Sequence, residues 1–254
     1  MSYFVLLILF LLLSGAVFAK PFYELAPKEI DKVLSDVRLK YQTFEDRALA
    51  VACLRLETPY FIVPSEKLRP PLFQTNTADD TFVLATLTLA EATFYSKQAF
   101  YNEAKIKYYK IPLKRPPLCY FENVTQFTYY RLHSINESYL CKDITANLLA
   151  PEQLKDAKIH GQFREKSFYI PCNKVNAGLL KKLSKKIYGV WFVREKAVSS
   201  EIVISHEGFI AEGKYLIHAS SIEKKVVKAD FLKYIEDNSD YFDGIIVSEL
   251  HCKN

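Results

Sequence analysis

Apolar residues follow two different patterns along the chain, one in its N-terminal half and another after residue 190. In the first half they recur at helical spacing, and Pro27 is placed to open a helix that continues to about Leu56. A second helix is predicted over residues 79–94, and a third over residues 96–109 follows almost without a break. Residues 110–180 carry scattered prolines and no clear periodicity, so we expect irregular structure there.

Beyond residue 190 the apolar positions form short runs that are rich in β-branched and aromatic residues. These runs predict strands with one helix, at 229–236, between the last two of them. The predicted strands cover residues 190–195, 202–210, 214–220, 224–228 and 243–250. Helices first and strands afterwards is the order of an α+β protein. We therefore expect N-terminal helices packed on a C-terminal antiparallel sheet of about five strands.

The first 19 residues form a nearly unbroken apolar run that ends in Val17-Phe18-Ala19. Small residues at the two positions that a signal peptidase reads predict a secretory signal peptide, although no Lys or Arg precedes the run. An uncleaved membrane anchor is the alternative, because the run nearly reaches spanning length. No other segment is long and apolar enough to span. We expect residues 20–254 to form a single domain, periplasmic or secreted.

Composition and charge exclude several kinds of binding site. Only 7 glycines are present, which leaves little material for glycine-rich phosphate-binding loops. The net charge of +5 is spread along the chain without the interleaved aromatic and basic residues of a nucleic-acid surface. The 5 cysteines form no CxxC pair and no zinc-type spacing, and one or two disulfides are possible, of unknown pairing. No cofactor and no nucleic acid are expected, and the protein is expected to be a monomer.

Two histidines flank a predicted hairpin turn and form the first candidate site. A three-residue loop over 211–213 with Gly213 at its end pairs Ile210 with Lys214, and therefore His206 with His218. Directly opposed side chains share a face about 5 Å apart, whereas a two-residue loop would place them on opposite faces. One interpretation is a base oriented by a second imidazole. The other is that each histidine is a partly buried strand residue with a structural hydrogen bond.

The adjacent acids Asp79 and Asp80 at the start of the predicted 79–94 helix form the second candidate site. They are typical of a helix cap, with Thr77 as N-cap and Asp80 three residues on in an approximate capping box. Both acids also favour the positive end of the helix dipole. The same position would suit a nucleophile, because the dipole and free amides there would stabilise a thiolate.

Four segments together resemble the N-acetylmuramoyl-L-alanine amidase-like family (domain of unknown function 1460), a branch of the NlpC-type cell-wall cysteine peptidases with a papain-like fold. LETPY at 56–60 is similar to the family's LGTPY, and ADDTFVLATLTLA at 78–90 to its DCxTFVExxLALA. SHEGF at 205–209 is similar to its SHVGI, and KYLIHASSIEKKVVK at 214–228 to its lihAS strand pair. The closing DGIIVSEL also fits, so the resemblance extends from about residue 45 to the end of the chain.

The resemblance implies cleavage of amide bonds in peptidoglycan stem peptides by a Cys nucleophile, a histidine base and a third polar residue. It assigns His206 as the base, His218 as the orienting residue and Tyr60 as the tyrosine beside the nucleophile. The nucleophile position itself falls on Asp79. The chain also departs from the family motifs at four other positions, which are Glu57, Ala78, Leu84 and Glu207.

Replacement of the thiol by a carboxylate changes the expected chemistry. Attack by Asp79 on an amide would form an anhydride, and an Asp79–His206 pair would instead hold the imidazole protonated and remove its basicity. Cys53 and Cys172 are the other thiols that could substitute. Our leading hypothesis is an amidase-like protein that has lost hydrolysis and binds stem peptides, muropeptides or a protein partner.

Two alternatives stay open. Asp79, His206 and His218 could form a two-histidine, one-carboxylate metal site, or Asp79 could act in acid–base hydrolysis through water. The other alternative is a non-catalytic interaction domain, in which Asp79 is only a cap.

Overall fold

The computed structural model describes residues 20–61, 73–79, 81–110, 124–133, 140–157, 167–195 and 203–252. The predicted signal peptide at 1–19 lies outside these ranges. Within them, no helix has the length and apolar composition needed to cross a membrane.

The helices lie mostly in the N-terminal half of the chain. Their bounds are α1 Pro27–Lys40, α2 Phe44–Leu54, α3 Phe82–Tyr95, α4 Phe100–Lys110, α5 Val124–Leu132, α6 Ala177–Leu180 and α7 Phe231–Asp237. The single long helix predicted from Pro27 to Leu56 is wrong, because the chain breaks it before Phe44. Thr43 is the N-cap of α2 and its Oγ1 accepts a hydrogen bond from the amide of Asp46 at 3.1 Å.

The central helix of the fold is α3. All of its residues from Phe82 to Thr93 are buried, which explains why its sequence is apolar on every side and lacks an amphipathic period. It begins three residues later than predicted, with Thr81 as N-cap. Thr77 is not the cap, since its hydroxyl bonds the side chain of Gln74 instead. Asp80, the other half of the predicted capping box, lies outside the described residues.

The described strands form one sheet of eight, rather than about five. They are β1 Cys141–Asp143, β2 Lys155–Ala157, β3 Ser167–Pro171, β4 Ile187–Val193, β5 Ile204–Ala211, β6 Tyr215–Ser220, β7 Lys225–Asp230 and β8 Gly244–Leu250. Every pair is antiparallel, in the order β2-β3-β8-β4-β5-β6-β7, and β1 also pairs with β8. The α+β class is as predicted. The three extra strands come from the region expected to be irregular.

The sheet is covered on both faces, and alternate residues of each strand belong to different cores. One core contains α1, α2, α3 and the side chains of Trp191 and Phe209. The other contains Phe192, Ile210 and the apolar residues of α6 and α7. We call these the α3 face and the α7 face of the sheet. This alternation decides which side chains the hairpin presents to α3.

Residues 57–61 extend the sheet beyond β7 and connect it to the segment before α3. The amide of Glu57 donates to the carbonyl of Val226 at 2.9 Å, and the amide of Tyr60 donates to the carbonyl of Lys224 at 2.8 Å. Tyr60 and Ala78 form a parallel bridge. Because of this bridge, the backbone of Asp79 is fixed between the sheet edge and the first turn of α3.

Candidate functional site

The two histidines of the hairpin are in contact on the α7 face. The turn lies at Glu212 and Gly213, which both have positive φ, and it pairs Ala211 with Tyr215. The predicted pairing of His206 with His218 is therefore wrong by two positions. A shift of two keeps both side chains on the same face, so the rings meet as diagonal neighbours.

A hydrogen bond joins the histidines, with Nε2 of His206 and Nδ1 of His218 2.8 Å apart. Phe192, Tyr234 and Phe242 surround the pair, with ring centroids between 4.9 and 6.2 Å from the nearer imidazole. Burial lowers the pKa of His206 to about 3, helped by the neighbouring imidazole, and lowers the pKa of His218 to about 4. The pair is therefore neutral at physiological pH and contains one shared proton.

A glycine next to the pair lets the two strands approach closely. A Cβ atom at Gly208 would lie 2.9 Å from the carbonyl oxygen of Ile217 and 3.0 Å from the Cβ of His218. Any side chain at this position would push β6, and with it His218, away from His206.

The start of α3 faces Glu207 rather than the histidines. The Glu207 side chain, 2% exposed, accepts a hydrogen bond from the amide of Val83 at 2.8 Å through Oε1. Two residues further along β5, Phe209 packs edge-on against Phe82 of α3. Successive strand residues point to opposite faces. His206 consequently lies on the face of β5 that is turned away from α3.

Asp79 is bonded to its own turn. Its Oδ1 accepts hydrogen bonds from the amide of Thr81 at 2.8 Å and from the hydroxyl of Thr81 at 2.6 Å. Burial raises the pKa of the Asp79 carboxyl, while these two bonds and the nearby Arg55 act in the opposite direction. This is the geometry of an Asx turn that precedes a helix.

Arg55, which the sequence did not single out, organises this region. Its side chain is 1% exposed and donates to the carbonyl oxygens of Thr77 and Phe82, at 3.1 and 3.2 Å. Burial lowers its pKa to about 10, and the charges of Asp79 and Glu207 oppose that shift. The guanidinium therefore stays charged and lies within electrostatic reach of both carboxylates.

Of the three candidate residues, His206 and His218 bond each other and Asp79 bonds Thr81. Among the described residues, no hydrogen bond, ion pair or ring contact joins Asp79 to either histidine. The expected Asp79–imidazolium pair is therefore not formed, and burial keeps the imidazoles neutral. Nor does any group of three His, Cys, Asp or Glu side chains in the described ranges converge to hold a metal ion.

Tyr60 lies beside Asp79 through its backbone bridge to Ala78, and its side chain is partly buried against the α3-face core. The family resemblance implied a tyrosine next to the nucleophile position, and the structure does bring the two segments together. Glu57, where the family motif has Gly, has a φ of 67° and pairs with Lys225 at 2.6 Å. The chain thus keeps a backbone conformation that favours glycine without having one.

Neither alternative cysteine, Cys53 or Cys172, is activated as a nucleophile. The four described cysteines, Cys53, Cys141, Cys172 and Cys252, are free thiols, and Cys119 lies outside the described residues. Burial raises the pKa of Cys53, and burial together with Asp243 raises that of Cys172 to about 11. Both thiols are thus protonated at neutral pH and poorly nucleophilic.

Cys172 does line an open cleft of about 480 Å³ on the same side of the sheet as the histidines. Its thiol donates to the carbonyl oxygen of Phe242 at 3.2 Å, and the Phe242 ring stacks against His206. Charges of both signs line the cleft, from Glu152, Lys155, Lys174 and Asp243. A cleft of this size accommodates a short peptide or a monosaccharide.

A second buried histidine network went unnoticed in the sequence. Nε2 of His133 lies 2.7 Å from Oγ of Ser248, and the indole N–H of Trp191 donates to the same oxygen at 3.1 Å. Nδ1 of His133 bonds the carbonyl of Tyr129 at 2.8 Å. Burial lowers the pKa of His133 to about 4. Ser248 is 0% exposed, so this network connects α5 to β4 and β8 and is closed to substrate.

Comparisons with known proteins identify the fold. No family model matches the chain, and no curated protein sequence is significantly similar to it. An N-acetylmuramoyl-L-alanine amidase from Bacteroides uniformis is similar in structure, with a TM-score of 0.54 and 15% identity, over 82% of this chain and 98% of the other. Protein LPG0564 from Legionella pneumophila, of the DUF1460 family, has a TM-score of 0.58 and 14% identity, over 88% and 94%.

A third similar structure is a protein proposed to be a xylanase from Bacteroides fragilis, with a TM-score of 0.54 and 16% identity over 79% of this chain and 99% of the other. At such low identity these likenesses concern the fold, and function has to be argued from the site. The chain is a mixed helical and antiparallel-sheet protein whose structural neighbours are amidase-like.

Proposed function

We propose that this chain is a secreted or periplasmic amidase-like protein of the papain-like, NlpC type, which binds peptidoglycan peptides without hydrolysing them through a thiol. The amidase-like structural neighbours support a role connected with the cell wall. Secretion rests on the N-terminal apolar run that ends in Val17-Phe18-Ala19.

The observation that supports the loss of hydrolysis is the bonding of Asp79. A nucleophile must present a reactive atom to a base, whereas Oδ1 of Asp79 accepts two hydrogen bonds from Thr81. The histidine pair lies on the other face of β5 and makes no contact with Asp79. Substrate activation would need both groups to act on the same bond, so this arrangement favours a binding protein over an enzyme.

The cleft beside Phe242 is the proposed binding surface. It lies on the α7 face with the histidine pair, and Lys155, Lys174, Glu152 and Asp243 give it both charge signs. A peptide with a free amine and free carboxylates complements such a lining, whereas a purely anionic ligand would be repelled by the two acids.

The test is to mix the purified protein with muropeptides and to measure binding by calorimetry and cleavage by mass spectrometry. We expect binding without cleavage, with or without divalent metal. Lys174→Glu should weaken binding at least about fivefold, which is about 1 kcal/mol, while Lys97→Glu on the exposed loop after α3 should leave it unchanged.

Other outcomes would favour the alternatives. Cleavage that disappears in Asp79→Asn would show an acid–base hydrolase and overturn the loss of catalysis. Cleavage that disappears in Cys172→Ser would assign the thiol of the cleft instead. If the protein neither binds nor cleaves any muropeptide, the proposed ligand is contradicted and the interaction-domain hypothesis remains.

A further inference from the structure

Glu207 caps α3 from a strand that is distant in sequence. Its Oε1 accepts the amide hydrogen of Val83, 124 residues earlier in the chain, at 2.8 Å. Val83 is the second residue of α3, and the amides of the first turn have no helical carbonyl to bond. A buried carboxylate at this place is stabilised by the positive end of the helix dipole.

The two amides before Val83 also have hydrogen-bond acceptors, both of them on Asp79. Thr81 donates its amide to Oδ1 of Asp79, and Phe82 donates its amide to the backbone carbonyl of Asp79 at 3.1 Å. Three consecutive amides at the start of α3 therefore have acceptors, and two of the acceptors are carboxylate oxygens. No donor at residues 81–83 is left over for an additional anion.

The buried cation Arg55 lies within electrostatic reach of both acids. Arg55 is influenced by the charges of Asp79 and Glu207, and it is bonded to the carbonyl of Phe82. Among the described residues, the other titratable or charged side chains around this helix start come from α4, α5 and β1 and are Tyr108, Arg131 and Cys141. Two anions thus lie at one helix start, and the Arg55 guanidinium near them is already held by four hydrogen bonds.

We infer that Glu207 is an internal anion that already occupies the positive environment at the start of α3, which a thiolate at residue 79 would need. The inference rests on the proposed function, and it means that the loss of thiol hydrolysis depends on two residues rather than on Asp79 alone. A thiol at position 79 would ionise at a helix start where a buried carboxylate already bonds the amide of Val83, and the repulsion would keep it protonated. Restoring cysteine alone therefore does not restore a nucleophile.

The test compares the thiol at residue 79 in D79C, in D79C/E207Q and in D79C/E236Q. Gln keeps the size of Glu and an acceptor for the amide of Val83, but it removes the charge. Glu236 is exposed on α7 and serves as the control. The rate of alkylation by iodoacetamide is followed against pH for the peptide that contains residue 79, because the chain has 5 other cysteines.

We expect the thiol pKa in D79C/E207Q to lie at least about one unit below that in D79C, a tenfold change in acid dissociation constant. D79C/E236Q should match D79C. Equal pKa values in D79C and D79C/E207Q would overturn the inference. D79C/E207V, in which the acceptor is also lost, provides a second comparison if the Gln variant unfolds, and circular dichroism checks each fold.

Failure of this inference is distinguishable from failure of the proposed function. A lowered thiol pKa in a protein that binds no muropeptide would support the role of Glu207 and contradict the proposed ligand. Muropeptide binding by the native chain together with unchanged thiol pKa values would support the ligand and reject the role of Glu207.

Discussion

Nε2 of His206 and Nδ1 of His218 share one hydrogen bond at 2.8 Å, with the two rings nearly perpendicular at 85°. One nitrogen donates and the other accepts, so a second proton would set two N–H groups against each other. Phe192, Tyr234 and Phe242 pack against the pair, in which His218 is buried and His206 half-buried, and they make charge still more costly. The pair is arranged as a neutral dyad on the face that carries the cleft.

The stability of the protein should fall as the pH drops below about 6.5. The ordinary histidine pKa of 6.5 falls to about 3 for His206 and to about 4 for His218 in the folded chain. The unfolded chain therefore binds protons in a pH range where the folded chain does not. Between about pH 6.5 and 4, each histidine lowers the free energy of unfolding by up to about 1.4 kcal/mol per pH unit. Urea unfolding at several pH values measures the slope.

The variant that checks this assignment is His206→Gln/His218→Gln. Its loss of stability over the same pH window should be shallower than that of the native chain, and His133 should account for part of what remains, since its pKa is also about 4. His251→Gln, at an exposed position, is the control. An equal slope in the double variant and in the native protein would contradict the prediction.

Ser248→Ala should destabilise the fold by about 2 kcal/mol or more. The change leaves Nε2 of His133 and the indole N–H of Trp191 buried without their shared partner, and each unsatisfied buried group costs about 1–3 kcal/mol. Ser239→Ala, at an exposed site, should cost little. Denaturant midpoints compare the two, and similar midpoints would show that the His133 network is not structural.

Arg55→Met should cost about 3–5 kcal/mol, because it removes a buried guanidinium whose charge favours the buried carboxylates of Asp79 and Glu207. The triple variant Arg55→Met/Asp79→Asn/Glu207→Gln should recover part of that loss, since it removes the two charges as well. Both are measured by chemical unfolding. If the triple variant is no more stable than Arg55→Met, the cost lies in lost hydrogen bonds and not in uncompensated charge.

Glu57→Gly should be more stable than Glu57→Ala by about 1 kcal/mol. Both variants lose the exposed ion pair with Lys225, which contributes about 0–1 kcal/mol. Only glycine relieves the left-handed backbone, at a φ of 67°, which costs an L-residue about 1–2 kcal/mol. Thermal unfolding of the two variants gives the comparison, and a more stable Ala variant would contradict the prediction.

The strands of the C-terminal half were predictable because their apolar runs are short and separated by turn residues. Strands β4 to β8 and helix α7 lie within a few residues of their predicted bounds. Strands β1, β2 and β3 were not predictable, since they are only 3 to 5 residues long and lie between prolines. Such strands are stabilised by pairing with β8 or with each other rather than by their own composition.

The position of the hairpin turn needed tertiary information. The predicted loop covered residues 211–213, whereas in the structure the loop between the paired residues Ala211 and Tyr215 covers residues 212–214. Glu212 is the residue with positive φ that sequence preferences did not anticipate. Its amide bonds the carbonyl of Lys186, so an interaction with the chain just before β4 supports a conformation that Glu rarely adopts.

The sequence by itself determined that helices precede an antiparallel sheet and that His206 and His218 share a face, and its resemblance to amidase-like motifs placed an acid where those motifs have a thiol. The period of the apolar residues and the alternation of side chains between the two faces of a strand are local properties, so residue spacing is enough to establish them. Only the tertiary structure decided which face of the sheet packs against α3. That choice places Glu207 at the helix start and the histidines on the other side, because the packing of Phe209 on Phe82 fixes the orientation of β5.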